Sequence, residues 1–158
     1  VGLPVGQVHL DDAELLVAAH ELLVRIENQN LIGRETLSAP SLVKSFLALK
    51  FAAAEHETFV VIFLDAQSRV IGTEEMFRGT VTQTSVYPRE VVKEALARNA
   101  AAVILAHNHP SGVAEPSRAD EYLTQTLKSA LSLVGVNVLD HLVVAGDGCI
   151  SMAERDLL

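Results

Sequence analysis

A chain of 158 residues, 49% hydrophobic and 20% charged, is long enough for one domain with a sizeable core and too apolar to stay disordered. Its formal net charge of −8 repels phosphate backbones, so strong nucleic-acid binding is not expected. Its longest apolar runs, such as residues 60–64 and 100–106, fall far short of the roughly 20 residues that cross a bilayer, and no basic segment leading into an apolar one marks a secretion signal.

Asp11 or Asp12 is placed to cap a first helix running to about residue 27, in which Leu15, Leu16, Ala19, Leu22, Leu23 and Ile26 recur at helical spacing. Residues 28–40 are rich in Asn, Gly, Ser, Thr and Pro and read as a connector. Ser41 opens a second helix, whose apolar face takes in Val43, Phe46, Leu47 and residues 49–51, and which ends near Ala54. Residues 58–64 form a compact β-rich run, residues 65–69 a turn, and Val70 and Ile71 begin a return strand, which together make a hairpin. Residues 77–86 continue as a strand with Gly79 as a candidate bulge. Pro88 suits the first turn of a helix running to about Asn99, and residues 101–106 are wholly apolar, as a buried central strand would be.

Residues 108–116, with two Pro and one Gly, read as a loop. Ser117 begins a further helix that lasts to about Val134, with Gly135 as its stop. Residues 136–144 form a strand, residues 146–148 a turn, and a last short strand lies near Ile150. Without internal repeats or low-complexity segments, this order predicts an α/β (α+β) fold, a mixed β-sheet flanked by helices.

The reactive groups concentrate at the end of the apolar strand. His107 and His109 stand two apart, so an extended backbone turns both imidazoles to one side, where open α/β sheets place their sites. Asp120 lies in the first turn of the following helix and can complete a set of three ligands if the loop folds back. Two imidazoles and one carboxylate suit zinc, with one coordination position left open. Water in that position, its pKa lowered to about 7, could attack a carbonyl. Ser117 and Asp120 also have the spacing of a capping box, and capping and ligation are compatible.

Other reactive groups are weaker candidates. Cys149 is the only cysteine, which excludes an internal disulfide and fits a reducing, cytoplasmic setting. It could pair with His141 as a nucleophile, although a small, partly buried thiol is the preferred reading. Asp140 and His141 either close a strand end or orient a ligand imidazole from behind. His9, His20 and His56 lack partners at ligand spacing and read as surface residues. Residues 146–148 lack the strand–loop–helix context of a phosphate loop. Arg78, Arg89, Lys93 and Arg98 lie close enough in sequence to form a local basic patch. The β-run at residues 59–64 fits either core burial or the edge of a homodimer.

Written out, His107-Asn108-His109-Pro110-Ser111-Gly112, Pro116-Ser117 and Asp120 resemble the JAMM motif of catalytic MPN domains, His-x-His-Pro-x6-Ser-x2-Asp. They resemble the bacterial RadC family more closely, as do Phe77-Arg78-Gly79-Thr80, Tyr87-Pro88-Arg89-Glu90 and Leu139-Asp140-His141. The likeness covers about residues 40–158. It divides the chain into an N-terminal helical extension and connector, residues 1–40, and a RadC/MPN-like catalytic domain, residues 41–158. The resemblance implies an MPN/JAMM, cytidine deaminase-like architecture and a zinc hydrolase of amide bonds, a metallopeptidase or isopeptidase acting on a peptide or protein. It implies one Zn2+ per chain on His107, His109 and Asp120, with Ser117 helping to stabilise the oxyanion. JAMM enzymes take their general base from a Glu at the start of the first hairpin strand, which here is Glu57; Glu74, followed by Glu75, is the alternative. Longer RadC members carry an N-terminal helix-hairpin-helix region, and this chain resembles a short form without it. The rival expectation is a non-catalytic MPN-like interaction module in a DNA-processing or mobile-element assembly. The composition itself offers nothing for the DNA-repair association of the family name.

Overall fold

The computed structural model describes residues 11–36, 40–79, 86–146 and 148–158. Over these residues the chain forms, in order, α1 (Asp12–Leu31), α2 (Pro40–Phe51), β1 (Thr58–Leu64), β2 (Val70–Arg78), α3 (Pro88–Ala97), β3 (Ala102–Asn108), α4 (Arg118–Ser132), β4 (Asn137–Ala145) and β5 (Gly148–Ser151). His9, Thr80 and Asp147 lie outside the described residues.

β1 and β3 are apolar along nearly their whole length, and a strand of that kind must be covered on both faces. Every residue of both is buried. They sit inside a five-stranded sheet of order β2-β1-β3-β4-β5. β1 is antiparallel to β2 and to β3, β3 is parallel to β4, and β4 is antiparallel to β5. The mixed sheet and its flanking helices are those expected from the order of elements. The run at residues 59–64 is flanked on both sides, so it offers no free edge, and core burial is the reading observed.

Alternation divides the core into two layers. Val60, Ile62, Leu64, Ile104, Ala106, Leu142 and Val144 face α2, packing with its Val43, Phe46, Leu47 and Phe51 and with Leu31 of α1. Phe59, Val61, Phe63, Val103 and Leu105 face the other way, onto Val91 and Ala95 of α3 and Leu127 and Leu131 of α4. His107 is the next residue in the series Val103, Leu105, so β3 delivers it into the layer beneath α4. The one parallel pair, β3 and β4, is joined through α4, which sets the start of α4 above the C-terminal end of β3.

Several boundaries moved for identifiable reasons. α1 buries Leu31 and half-buries His20, Val24 and Asn28, whereas Leu15, Leu16, Leu22, Leu23 and Ile26 stay exposed. The stripe turned to α2 is thus not the most apolar one. His20, expected at the surface, places its Nε2 2.8 Å from the Leu49 carbonyl oxygen, half-buried between the two helices. β2 ends at Arg78, with its irregularities at Met76 and Ile71 and not at Gly79. Gly79 instead donates its N–H to the Glu57 carbonyl, 2.7 Å away. β3 runs to Asn108, taking in a residue expected in the loop. No helix among the described residues is long and apolar enough to cross a membrane.

Candidate metal centre

The site is assembled where β3 ends. The N–H of His109 donates to the Val144 carbonyl at 2.8 Å, which keeps the chain beside β4 for one residue past the strand and leaves His107 and His109 on the same side. The loop then turns at Gly112, whose φ of +82° suits a residue without Cβ and whose N–H reaches the His109 carbonyl at 3.1 Å. Ser117 caps α4. Its Oγ accepts from the Asp120 N–H at 3.2 Å, while its own N–H and O–H donate to Asp120 Oδ2 at 2.7 and 2.6 Å. The capping box expected from the spacing is present, and it holds Asp120 with its carboxylate turned inward.

That carboxylate meets both imidazoles. Asp120 Oδ1 lies 3.3 Å from His107 Nε2 and Oδ2 lies 3.4 Å from His109 Nε2. The two Nε2 atoms are 2.9 Å apart. His107 and Asp120 are buried and His109 is half-buried. Burial pushes the Asp120 carboxyl up, but the His107 imidazole and the Ser117 hydroxyl and N–H beside it outweigh that and hold the group well below the usual carboxylate range. Asp120 is therefore a carboxylate. His109 Nδ1 lies 2.8 Å from the Val113 carbonyl oxygen, which can only accept, so Nδ1 carries the hydrogen and Nε2 presents a lone pair. Two imidazole nitrogens and one carboxylate oxygen are a donor set that fits zinc.

A second ring of buried groups surrounds the three. His141 Nε2 lies 2.8 Å from His107 Nδ1, and Thr124 Oγ1 lies 2.6 Å from both His141 Nδ1 and the Asp120 carbonyl oxygen. Burial, with His107 adding to it, pushes the His141 imidazole down to about 3, so it is neutral. Phe59 stacks against His107 and sets its edge to His141. Asn108, between the two site histidines, reaches across to the start of β1. Its Oδ1 accepts from the Thr58 N–H at 2.7 Å and its Nδ2 donates to the His56 carbonyl at 3.1 Å. These two peptide groups flank Glu57.

The β1–β3 ladder ends at the Phe59–His107 pair, and Glu57 lies two residues ahead of Phe59, just before β1. The Glu57 side chain makes no hydrogen bond or ion pair among the described residues. Glu74 pairs with Val61 on the far side of β1, and its carboxylate is engaged by Arg98 at 2.7 Å. Glu75 faces the opposite layer and pairs with Lys50 at 2.9 Å. On the α2 side of the sheet, a cavity of about 270 Å³ is lined by Phe51, Ala54, His109, Pro110, Gly112 and Val144, with neither His107 nor Asp120 on its wall.

Residues 37–157 match the family model described as a RadC-like JAB domain. The chain belongs to the RadC family. It is 59% identical over 143 residues to a UPF0758 protein of Leptothrix cholodnii, a match that covers 90% of this chain and 64% of that one. It is 55% identical over 155 residues to a UPF0758 protein of Dechloromonas aromatica, covering 98% of this chain and 69% of that one. A UPF0758 protein of Polaromonas sp. is 59% identical over 143 residues. The chain thus spans about two thirds of the length of these RadC-family relatives.

Within this RadC-family fold, His107, His109 and Asp120 come together as the motif implied. Other sequence expectations separate. His141 does not close a strand end: it lies in mid-β4, fully buried against His107. Asp140 turns away from the site, its carboxylate accepting from the His141 N–H, the Ser151 hydroxyl and the Ala153 N–H. Cys149 pairs with Val144 and packs in the α2 layer, on the opposite side of the sheet from His141, and burial pushes its thiol up. The four basic residues form no unbalanced patch, because Arg78 pairs with Glu75, Arg89 and Lys93 with Glu90, and Arg98 with Glu74 and Glu94. Thr124 escaped notice in the sequence. Its one signal is its place one helical turn beyond Asp120 on the same face of α4.

Proposed function

We propose that this chain is a zinc-dependent hydrolase of amide bonds, a metallopeptidase or isopeptidase acting on a peptide or protein substrate. The observation that carries this reading is the meeting of the His107 and His109 Nε2 atoms with the ionised Asp120 carboxylate, all within 4.8 Å of one another, at the C-terminal end of β3. Bound there, a zinc ion supplies Lewis acidity, polarising a carbonyl and lowering the pKa of a water to about 7.

The remaining chemistry belongs to the chain's own side chains. Glu57 takes the proton of the attacking water and returns it to the departing amine, a role suited to a half-exposed carboxylate two residues ahead of the Phe59–His107 pair with no other partner among the described residues. Glu74 is less suited, since Arg98 engages it on a strand further out. Ser117 positions Asp120 through its cap and serves as an oxyanion donor. Its hydroxyl hydrogen is directed at Asp120 Oδ2 in the structure, so donation to an oxyanion requires a rotation about its Cβ–Oγ bond.

Purified protein, Glu57→Gln, Glu74→Gln and Asp120→Ala are compared by elemental analysis for zinc and by turnover of a panel of peptide and isopeptide substrates. We expect zinc in the first three and none in Asp120→Ala, with Glu57→Gln slowed by about 10²–10⁴-fold. A fully active Glu57→Gln transfers the role to Glu74. Folded protein that binds no zinc and cleaves nothing overturns the hydrolase reading in favour of an interaction module.

A further inference from the structure

We infer that His141 and Thr124 are positioning residues that hold His107 in the tautomer protonated on Nδ1, leaving its Nε2 lone pair free for the metal ion. The inference rests on the reading that His107, His109 and Asp120 hold that ion. It starts from an atom whose role has no alternative. The Asp120 carbonyl oxygen can only accept, and it lies 2.6 Å from Thr124 Oγ1, so the single hydroxyl hydrogen of Thr124 points there. The Thr124 oxygen then has only lone pairs to offer His141 Nδ1, also at 2.6 Å, so that nitrogen carries the hydrogen.

A neutral imidazole has one N–H, and His141 has now spent it. Its Nε2 must accept, and the donor 2.8 Å away is His107 Nδ1. His107 in turn has spent its only hydrogen, and Nε2 is left bare on the side facing His109 and Asp120. The relay is closed: it leaves the main chain of one ligand residue and ends on the side chain of another. All its side-chain members are shielded from solvent, with Thr124 and His141 at 0% exposure and His107 at 1%. His109 reaches the same state by a shorter route, through the Val113 carbonyl. Ligand histidines commonly rest on a carboxylate or a carbonyl. Here His107 rests on a neutral ring, which fixes its tautomer while feeding less electron density to the metal.

Long-range 1H–15N correlation spectra of the metal-free protein at pH 8 read the tautomers directly and need no variant. We expect both His107 and His141 to carry hydrogen on Nδ1. Thr124→Val removes the acceptor of His141 and should turn His107 into a tautomer mixture. Zinc affinity from chelator competition should fall about 10–100-fold in His141→Leu, and most of it should return in His141→Gln, whose amide oxygen can accept from His107 Nδ1. Hydrogen on His107 Nε2 in the wild-type spectra, or a His141→Leu protein that binds zinc as tightly as wild type, overturns the inference. Wild-type protein that binds no zinc defeats the metal reading instead, and the spectra then decide the relay by themselves.

Discussion

Asn108 shows how much one side chain can carry without reacting. It looks like a spacer between two histidines, yet its buried amide bonds the His56 carbonyl and the Thr58 N–H, closing the ladder where β1 begins. Removing it leaves the buried Thr58 N–H without its acceptor. Asn108→Ala should cost about 1–3 kcal/mol in urea unfolding while leaving zinc content unchanged; a variant as stable as wild type would show that water replaces the amide without loss. Ser117 and Asp120 are the contrasting case. Their contacts are three residues apart, so the spacing alone revealed the cap, and the cap alone turned the carboxylate inward.

At the level of elements, legibility follows the number of buried faces. β1 and β3 are covered on both sides, so their sequences are apolar without interruption and could be placed to within a residue or two. α1 defeats this logic, because its more apolar stripe is not the one against α2. Leu31→Ala or Leu47→Ala, at 2% and 0% exposure, should destabilise the fold by about 2–5 kcal/mol, whereas Leu16→Ala, at 72%, should stay within about 0.5 kcal/mol of wild type. Equal losses at Leu16 and Leu31 in denaturant titrations would mean that the α1–α2 packing described here is not the one in solution.

The whole molecule brings four segments to one point: the end of β3, the first turns of α4, the middle of β4 and the approach to β1. A cation held by His107, His109 and Asp120 ties the β3 loop to α4 and binds only the folded chain. At free zinc 100 times its dissociation constant the folded state should gain about 2.7 kcal/mol. For a domain of this size that raises Tm by about 5–10 °C. A chelator should reverse the shift, and Asp120→Ala should show none. Thermal melts that coincide with and without zinc in the wild-type protein would contradict a metal coupled to this fold.

The candidate trio of His107, His109 and Asp120, the Ser117 cap, the apolar strands and the family were legible in the chain alone, because each depends on residues near one another in sequence or on periodicities of two and 3.6. The partner behind His107, the clamp on either side of Glu57 and the engagement of Glu74 by Arg98 were decided only by the tertiary structure. They depend on strand register and on which face a helix turns inward, and both are fixed by packing between segments far apart in the sequence.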